Sequence, residues 1–124
     1  AEFPLFTGTT RHSRRIDFLC VENLTTQNLW ELNIHGVEIK ISEYDLLNDK
    51  KYSEYVEFLD YFYLAVPKEL KEVALKNKLK SCGLLIISKN ETSNKFDIEI
   101  VEVPSKLNPT RKEETLRSII LKLL

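Results

Sequence analysis

Along the middle of the chain the apolar positions first alternate with polar ones, then recur at helical spacing, then fill two short continuous runs. Arg15 to Val21 is β-branched and aromatic and predicts a strand in which Ile16, Phe18 and Cys20 share one face, with Asp17 on the other beside Leu19 and Val21. The polar residues Asn23 to Asn28 separate it from a second strand, so the two predict a hairpin. In that second strand Trp30, Leu32 and Ile34 alternate with Glu31 and Asn33, whereas Val37, Ile39 and Ile41 alternate with Glu38, Lys40 and Ser42. The apolar phase therefore moves from even to odd positions across His35-Gly36. A period-two strand keeps its phase unless a residue is inserted, so a β-bulge or break is expected there, with His35 engaged in bulge or turn chemistry.

Ser42 to Asp45 has the S-x-x-D form of a capping box and predicts a helix from Glu43 to about Leu59, with Tyr44, Leu47, Tyr55 and Leu59 facing inward. Tyr61 to Val66 predicts a buried strand closed by Pro67, Lys68 to Lys80 a second helix, and Gly83 to Ser88 an apolar strand of the kind covered on both faces. A turn over Asn90 to Lys95 leads to a strand from Phe96 to Val103. After the break from Pro104 to Pro109, Thr110 to Glu113 is a second capping box. It opens a terminal helix whose Leu116, Ile119, Ile120, Leu123 and Leu124 predict packing on the sheet. The predicted order is ββαβαββα, an α/β fold of the α+β kind with a central mixed sheet flanked by helices, in one domain over residues 1–124. Residues 1–14, with Pro4 and a Thr7-Gly8-Thr9-Thr10 turn, predict a loop leading into the first strand.

The chain has 124 residues, 43% of them hydrophobic, and carries 18 Lys and Arg against 19 Asp and Glu. That suits one self-sufficient core and excludes a polybasic coat for nucleic acid. No apolar run approaches the roughly 18 residues of a membrane helix and no signal-peptide pattern opens the chain, so a cytoplasmic protein with no membrane partner is expected. Cys20 and Cys82 lie inside apolar runs and outside any C-x-x-C pair, which predicts reduced core thiols and no zinc site. The absence of Met fits a processed N-terminus or a domain excised from a longer chain.

An aspartate among apolar neighbours must find a cation or shift its pKa. Antiparallel pairing of the first two strands would set Asp17 level with Glu38 and Lys40, a carboxylate pair with one ammonium. Two carboxylates on adjacent strands suit Mg²⁺ or Mn²⁺, hard ions that take oxygen ligands and keep several waters. Such a site does phosphodiester chemistry, because the ion acidifies bound water and neutralises charge growing on phosphate. The residues alone leave another reading open, in which Glu38 and Lys40 lie on a solvated sheet face and Asp17 pairs with an arginine.

Asp17 followed by Glu38-Ile39-Lys40 resembles the D…E-x-K signature of the PD-(D/E)XK nuclease superfamily. The surrounding Arg14-Arg15-Ile16-Asp17-Phe18-Leu19, Val37-Glu38-Ile39-Lys40-Ile41-Ser42, Asp49-Lys50-Lys51-Tyr52-x-Glu54-Tyr55 and Asp60-Tyr61-Phe62-Tyr63-Leu64-Ala65-Val66-Pro67 are similar to the bacterial MmcB-like DNA repair proteins of that superfamily. The resemblance spans roughly residues 11–120. It implies a restriction-endonuclease-like core and a divalent-metal-dependent nuclease acting on DNA in repair, recombination or restriction. Asp17, Glu38 and the backbone carbonyl of Ile39 would be the metal ligands, and Lys40 would orient the attacking water or stabilise charge. It also implies Mg²⁺ or Mn²⁺ as cofactor, and action as a homodimer or beside other subunits. Ile16 stands where the superfamily has its proline, and only Glu2 precedes Asp17 where many members carry a helix with its own glutamate. That departure supports an alternative, a nuclease-like module that binds nucleic acid or a protein partner without cutting.

Residues 16–60 hold ten acids against three lysines, a local charge of −7. Polyphosphate approaches such a surface only with a cation at the acids and basic groups at the flanks. Arg11, Arg14 and Arg15 supply one flank, and Lys68, Lys71, Lys76, Lys78 and Lys80 the other. Lys50 and Lys51 are further candidate phosphate contacts, while Tyr55 and Trp30 are expected in the core.

Overall fold

A computed structural model describes residues 3–6, 13–22, 28, 31–48 and 52–123, the side chains at 3–6, 13–15, 52, 53, 118–120, 122 and 123 excepted. The elements are β1 (Phe3–Phe6), β2 (Ser13–Ile16), β3 (Phe18–Glu22), β4 (Asn33–Ile39), α1 (Glu43–Asn48), α2 (Tyr52–Tyr55), β5 (Tyr61–Pro67), a 3₁₀ turn (Lys68–Leu70), α3 (Lys71–Asn77), β6 (Gly83–Asn90), β7 (Lys95–Glu102) and α4 (Lys112–Leu123). The fold is α+β. A mixed five-stranded sheet has the order β3-β4-β5-β6-β7, and β1 and β2 form a separate two-stranded sheet. The outer pairs β3–β4 and β6–β7 are antiparallel, and the inner pairs β4–β5 and β5–β6 are parallel.

Parallel neighbours cannot be joined by a tight turn, so β4 reaches β5 through α1 and α2, and β5 reaches β6 through the 3₁₀ turn and α3. Both crossovers step in the same direction across the sheet, and crossovers of one hand that do so lie on one face. Ile34, Phe62, Leu64, Val66, Leu84 and Ile86 are accordingly buried on that face. On the reverse face Val37, Tyr63, Leu85 and Ile87 are half-buried, and Ile98 and Ile100 are exposed. The strand expected to be covered on both faces at Gly83–Ser88 is thus covered on one. Gly36 lies where Ile16 and Leu59 converge on β4. A Cβ there would clash with Ile16 Cδ1 and stand 2.6 Å from Leu59 Cδ1, so a larger residue would require these two buried side-chain ends to repack.

Several local expectations are corrected by the structure. β4 runs unbroken through His35-Gly36, paired residue by residue with β3 and β5, so there is no bulge there. The change of phase has another cause: Leu32, Ile34, Gly36 and Glu38 all take the covered face, while Val37 and Ile39 turn to the open one. A charged residue has been placed where the pattern calls for an apolar one. The predicted N-terminal loop contains β1, which pairs antiparallel with β2. The bend at Asp17 divides the predicted strand over 15–21, so Ile16 turns into the core while Phe18 and Cys20 stay exposed.

The predicted helix over 43–59 is two short helices. Its capping box forms in part, with the Asp45 N–H donating to Ser42 Oγ at 3.2 Å. α1 ends at Asn48, whose side-chain amide donates to the Tyr44 carbonyl (2.7 Å), and α3 ends in the same way with Asn77 on the Val73 carbonyl (2.8 Å). Tyr55 and Leu59 are buried as expected, but α1 buries only Leu46 among its residues, and Tyr44 and Leu47 face outward. In α4 Leu116 is buried and Leu121 is exposed. Trp30 lies outside the described residues. Among the described residues no helix is long and apolar enough to cross a membrane.

Both cysteines are free thiols, but only Cys82 is a core residue. Burial pushes its thiol up to about 12. Since the thiolate is the reactive form, iodoacetamide at neutral pH is expected to modify the exposed Cys20 in the native protein and Cys82 only after unfolding. Intact-mass measurement with and without denaturant reads this directly, and two adducts on the native protein would contradict the packing described around Cys82.

Candidate functional site

The β3–β4 ladder pairs Phe18 with Val37 and Glu22 with Asn33. Extended by one position beyond Phe18, that register sets Asp17 opposite Glu38. The chain bends at Asp17, however, and its side chain does what the next strand residue would have done: Asp17 Oδ2 accepts the backbone N–H of Ile39 at 2.7 Å. This bond fixes one carboxylate oxygen against the Glu38–Ile39 peptide. On the other side of β4, Lys40 N–H donates to the Ala65 carbonyl at 3.0 Å, which holds the end of β4 to β5.

Residues 38 and 40 are two apart on a strand and project to the same face. Glu38 is 7% exposed, an unusual setting for a carboxylate. Lys40 Nζ stands 3.9 Å from Glu38 Oε1, an ion pair longer than a direct hydrogen bond. The structure thus brings Asp17, Ile39, Glu38 and Lys40 to one place, the point where β3 begins and β4 ends. Charges at that depth need compensation from one another or from a bound cation. Among the described residues no group of three His, Cys, Asp or Glu side chains is placed to hold a metal ion. The two acids nearest this point are Asp17, held on the Ile39 N–H, and Glu38, paired with Lys40, and carboxylate oxygens are the donor type that hard divalent ions prefer.

Of the other residues singled out in the sequence, Arg14 and Arg15 lie in β2, their side chains outside the described set, and Arg11, Lys50 and Lys51 lie outside the described residues. Lys78 leaves the group of phosphate-gripping lysines. Its largely buried ammonium pairs with Glu102 at 2.5 Å and donates to the Cys82 carbonyl at 2.8 Å. Lys68, Lys76 and Lys80 are exposed.

Two constellations were not foreseen. Asp60, 2% exposed, pairs with Lys112 Nζ at 3.1 Å and accepts the Ile34 N–H at 2.7 Å, while its own carbonyl accepts the Leu107 N–H at 2.7 Å. It ties the start of β4, the stretch before α4 and α4 itself to one point. The signal available in the sequence was an acid set between Phe58-Leu59 and Tyr61-Phe62.

On the open face, His35 stacks on Tyr61 with ring centroids 4.7 Å apart, and its two nitrogens bridge Glu22 Oε1 (Nε2, 2.6 Å) and the Tyr63 hydroxyl (Nδ1, 3.1 Å). An ionised Glu22 can only accept, so Nε2–H donates to it, and in the neutral ring Nδ1 accepts from the Tyr63 hydroxyl. The His35 hydrogen bond holds the Glu22 carboxyl below its ordinary value, and burial raises the Tyr63 phenol. The hydrogen-bonded chain Glu22–His35–Tyr63 braces β3, β4 and β5 across the open face. It borders an open trough of about 440 Å³ lined by Val37, Leu85, Ile98 and Ile100.

No protein-family model matches the chain, and no curated protein matches it. Among solved structures, a protein of unknown function from Silicibacter pomeroyi is similar in fold: the TM-score is 0.62 at 23% identity, over 89% of this chain and 66% of that one. The chain therefore spans just under two thirds of that protein's length.

Proposed function

We propose that this domain is a divalent-metal-dependent nuclease of DNA metabolism, built on a restriction-endonuclease-like core and related to the MmcB-like proteins of the PD-(D/E)XK superfamily. The observation that supports the reading is the Asp17–Ile39 hydrogen bond, because it anchors the acid at the bend before β3 directly against the Glu38-x-Lys40 segment at the end of β4. Asp17 and Glu38 would hold the ion, Mg²⁺ or Mn²⁺, with the Ile39 carbonyl as a third oxygen. When bound, the ion supplies a Lewis acid for phosphate and an acidified water. Asp17 keeps one oxygen on the backbone and so presents the other in a defined direction. The helix-covered face limits water around Glu38, which strengthens its attraction for a cation. Lys40 places a positive charge beside the carboxylates, where it can orient a water or balance charge on a phosphate.

A second reading has one observation in its favour. The described chain before Asp17 is the β1–β2 hairpin rather than a helix bearing a further glutamate, which suits a nuclease-like module that binds nucleic acid without cutting.

Calorimetric titration with Mg²⁺ and Mn²⁺, run beside a cleavage assay on labelled DNA, tests both. The nuclease reading expects saturable heat and cleavage that stops in chelator. Cleavage undiminished in chelator rejects it, and DNA binding with neither cation heat nor cleavage selects the second reading.

A further inference from the structure

The reverse face of the five-stranded sheet is left open, because both crossovers lie on the other side. Phe18 is 51% exposed, Phe96 68%, Ile98 65% and Ile100 62%. Alternation along β3 and β7 and the register of their ladders place all four on that face, beside half-buried apolar residues of β4, β5 and β6. At about 150–200 Å² for a large side chain, these exposures leave roughly 400–500 Å² of apolar surface. A patch of that size marks an interaction surface. It also matches one side of a dimer, since a standard interface covers about 800 Å² of each partner and about 450–520 Å² of that is apolar.

Shape and charge on this face are self-complementary. The ladder registers put Glu22 at one end of it, on β3, and Phe96 paired with Lys89 at the other, beside the hairpin that joins β6 to β7. The trough of about 440 Å³ is lined at the Glu22 end by His35, Val37 and Tyr63. One end thus offers a hollow and a carboxylate, the other an exposed ring and an ammonium. We propose that a second copy of this chain docks on the open sheet face with the two ends exchanged, so that Phe96 of each copy enters the other's trough beside His35 and Lys89 of each meets the other's Glu22. The inference stands apart from the nuclease reading. A two-fold axis lying across the strands, between the two faces, makes both contacts twice. Stacking with like ends together would set Lys89 against Lys89 and Glu22 against Glu22, so charge selects the exchanged arrangement. Apolar burial supplies the attraction, with the side chains of two sheets about 10 Å apart interdigitating as in a sandwich core.

Sedimentation equilibrium of the full chain across the micromolar range reads the association directly. The wild type is expected to dimerise, and Phe96→Ala to weaken the dimer at least about 30-fold, as loss of a buried aromatic anchor does. Ile98→Asp, which sets a charge in the middle of the face, should give a monomer. Lys89→Glu should weaken the dimer at least about fivefold, and Glu22→Lys added to it should restore most of that loss, which fixes the orientation. Glu22, Lys89, Phe96 and Ile98 are all exposed in the single chain, so circular dichroism and urea midpoints of the variants should match the wild type. Alkylation of Cys20, which lines the trough, should slow as the dimer forms. A chain that stays monomeric throughout, its open face left for a different protein or an apolar ligand, overturns the proposal. So does a dimer that persists in Ile98→Asp and Phe96→Ala, or one in which Cys20 reacts at the monomer's rate.

Discussion

On the proposed nuclease reading, Asp17→Asn is expected to lower divalent-dependent cleavage by more than about 100-fold while leaving the protein folded, since even outer-shell partners of a metal site cost 10- to 100-fold when removed. Asparagine keeps an oxygen that can accept the Ile39 N–H, so the join between β3 and β4 survives and only the charge is lost. Asp17→Ala removes the acceptor as well. It should lose cleavage to the same extent and also cost about 1–3 kcal/mol of stability, because the half-buried backbone N–H loses its partner. Glu38→Gln should match Asp17→Asn in activity. Rates on labelled DNA, together with denaturant midpoints for all three variants, separate the electrostatic role from the structural one. Should Asp17→Asn cleave at the wild-type rate, the carboxylate is only a strand-end cap and the nuclease reading falls.

Asp60→Ala should be the most damaging single substitution for the fold. It leaves the Lys112 ammonium, 4% exposed, without its carboxylate and strands the Ile34 N–H at the head of β4. Breaking one side of a buried ion pair costs about 3–5 kcal/mol, against a total stability of about 5–15 kcal/mol for an ordinary domain. The melting temperature should fall by about 10–25 °C. Asp60→Asn preserves an acceptor for Ile34 and should be milder than Asp60→Ala. Asp60→Leu combined with Lys112→Met removes both charges together and should recover part of the loss, since an apolar pair of similar volume can replace a buried ion pair at little cost. Urea denaturation measures each step. A stability for Asp60→Ala within about 1 kcal/mol of wild type would show that water or a neighbouring group already compensates Lys112.

The contrast between these two acids shows how far the sequence could be read. Asp17 stood out as an acid among apolar neighbours and Glu38 as the acid level with it on the next strand in an E-x-K setting, and the hairpin between them follows from the polar run at Asn23–Asn28. Asp60 interrupts an apolar stretch just as plainly. Its partner, however, is Lys112, 52 positions on, and no local pattern links two residues at that separation. His35 shows the reverse error. A change of apolar phase on either side of it suggested an inserted residue, whereas the strand is regular and the buried face simply accepts Glu38. Period alone reports that the pattern breaks and leaves open whether the backbone or the side-chain chemistry departs from the rule.

Tyr44 and Leu47 make the same point for helices. Their spacing gives one helical face, but which face turns inward depends on how α1 sits over β4 and β5. Six residues are too few for the pattern to specify that. The bend at Asp17 likewise sent Ile16 and Phe18 to different environments although alternation had placed them together.

The sequence by itself determined the order of strands and helical segments from β3 onward, apart from the division of the helix over 43–59 into α1 and α2, together with the capping residue at Ser42 and the turn before β7. Each of these depends on residues within a few positions of one another, where dihedral preference and side-chain periodicity act. Only the tertiary structure decided that both crossovers cover the same face, that Glu38 is buried on it, that Cys20 and Tyr44 face outward, and that Asp60 meets Lys112. Those outcomes depend on register and on the hand of the crossovers, which bring together groups that are distant in the chain and compete for the same buried space.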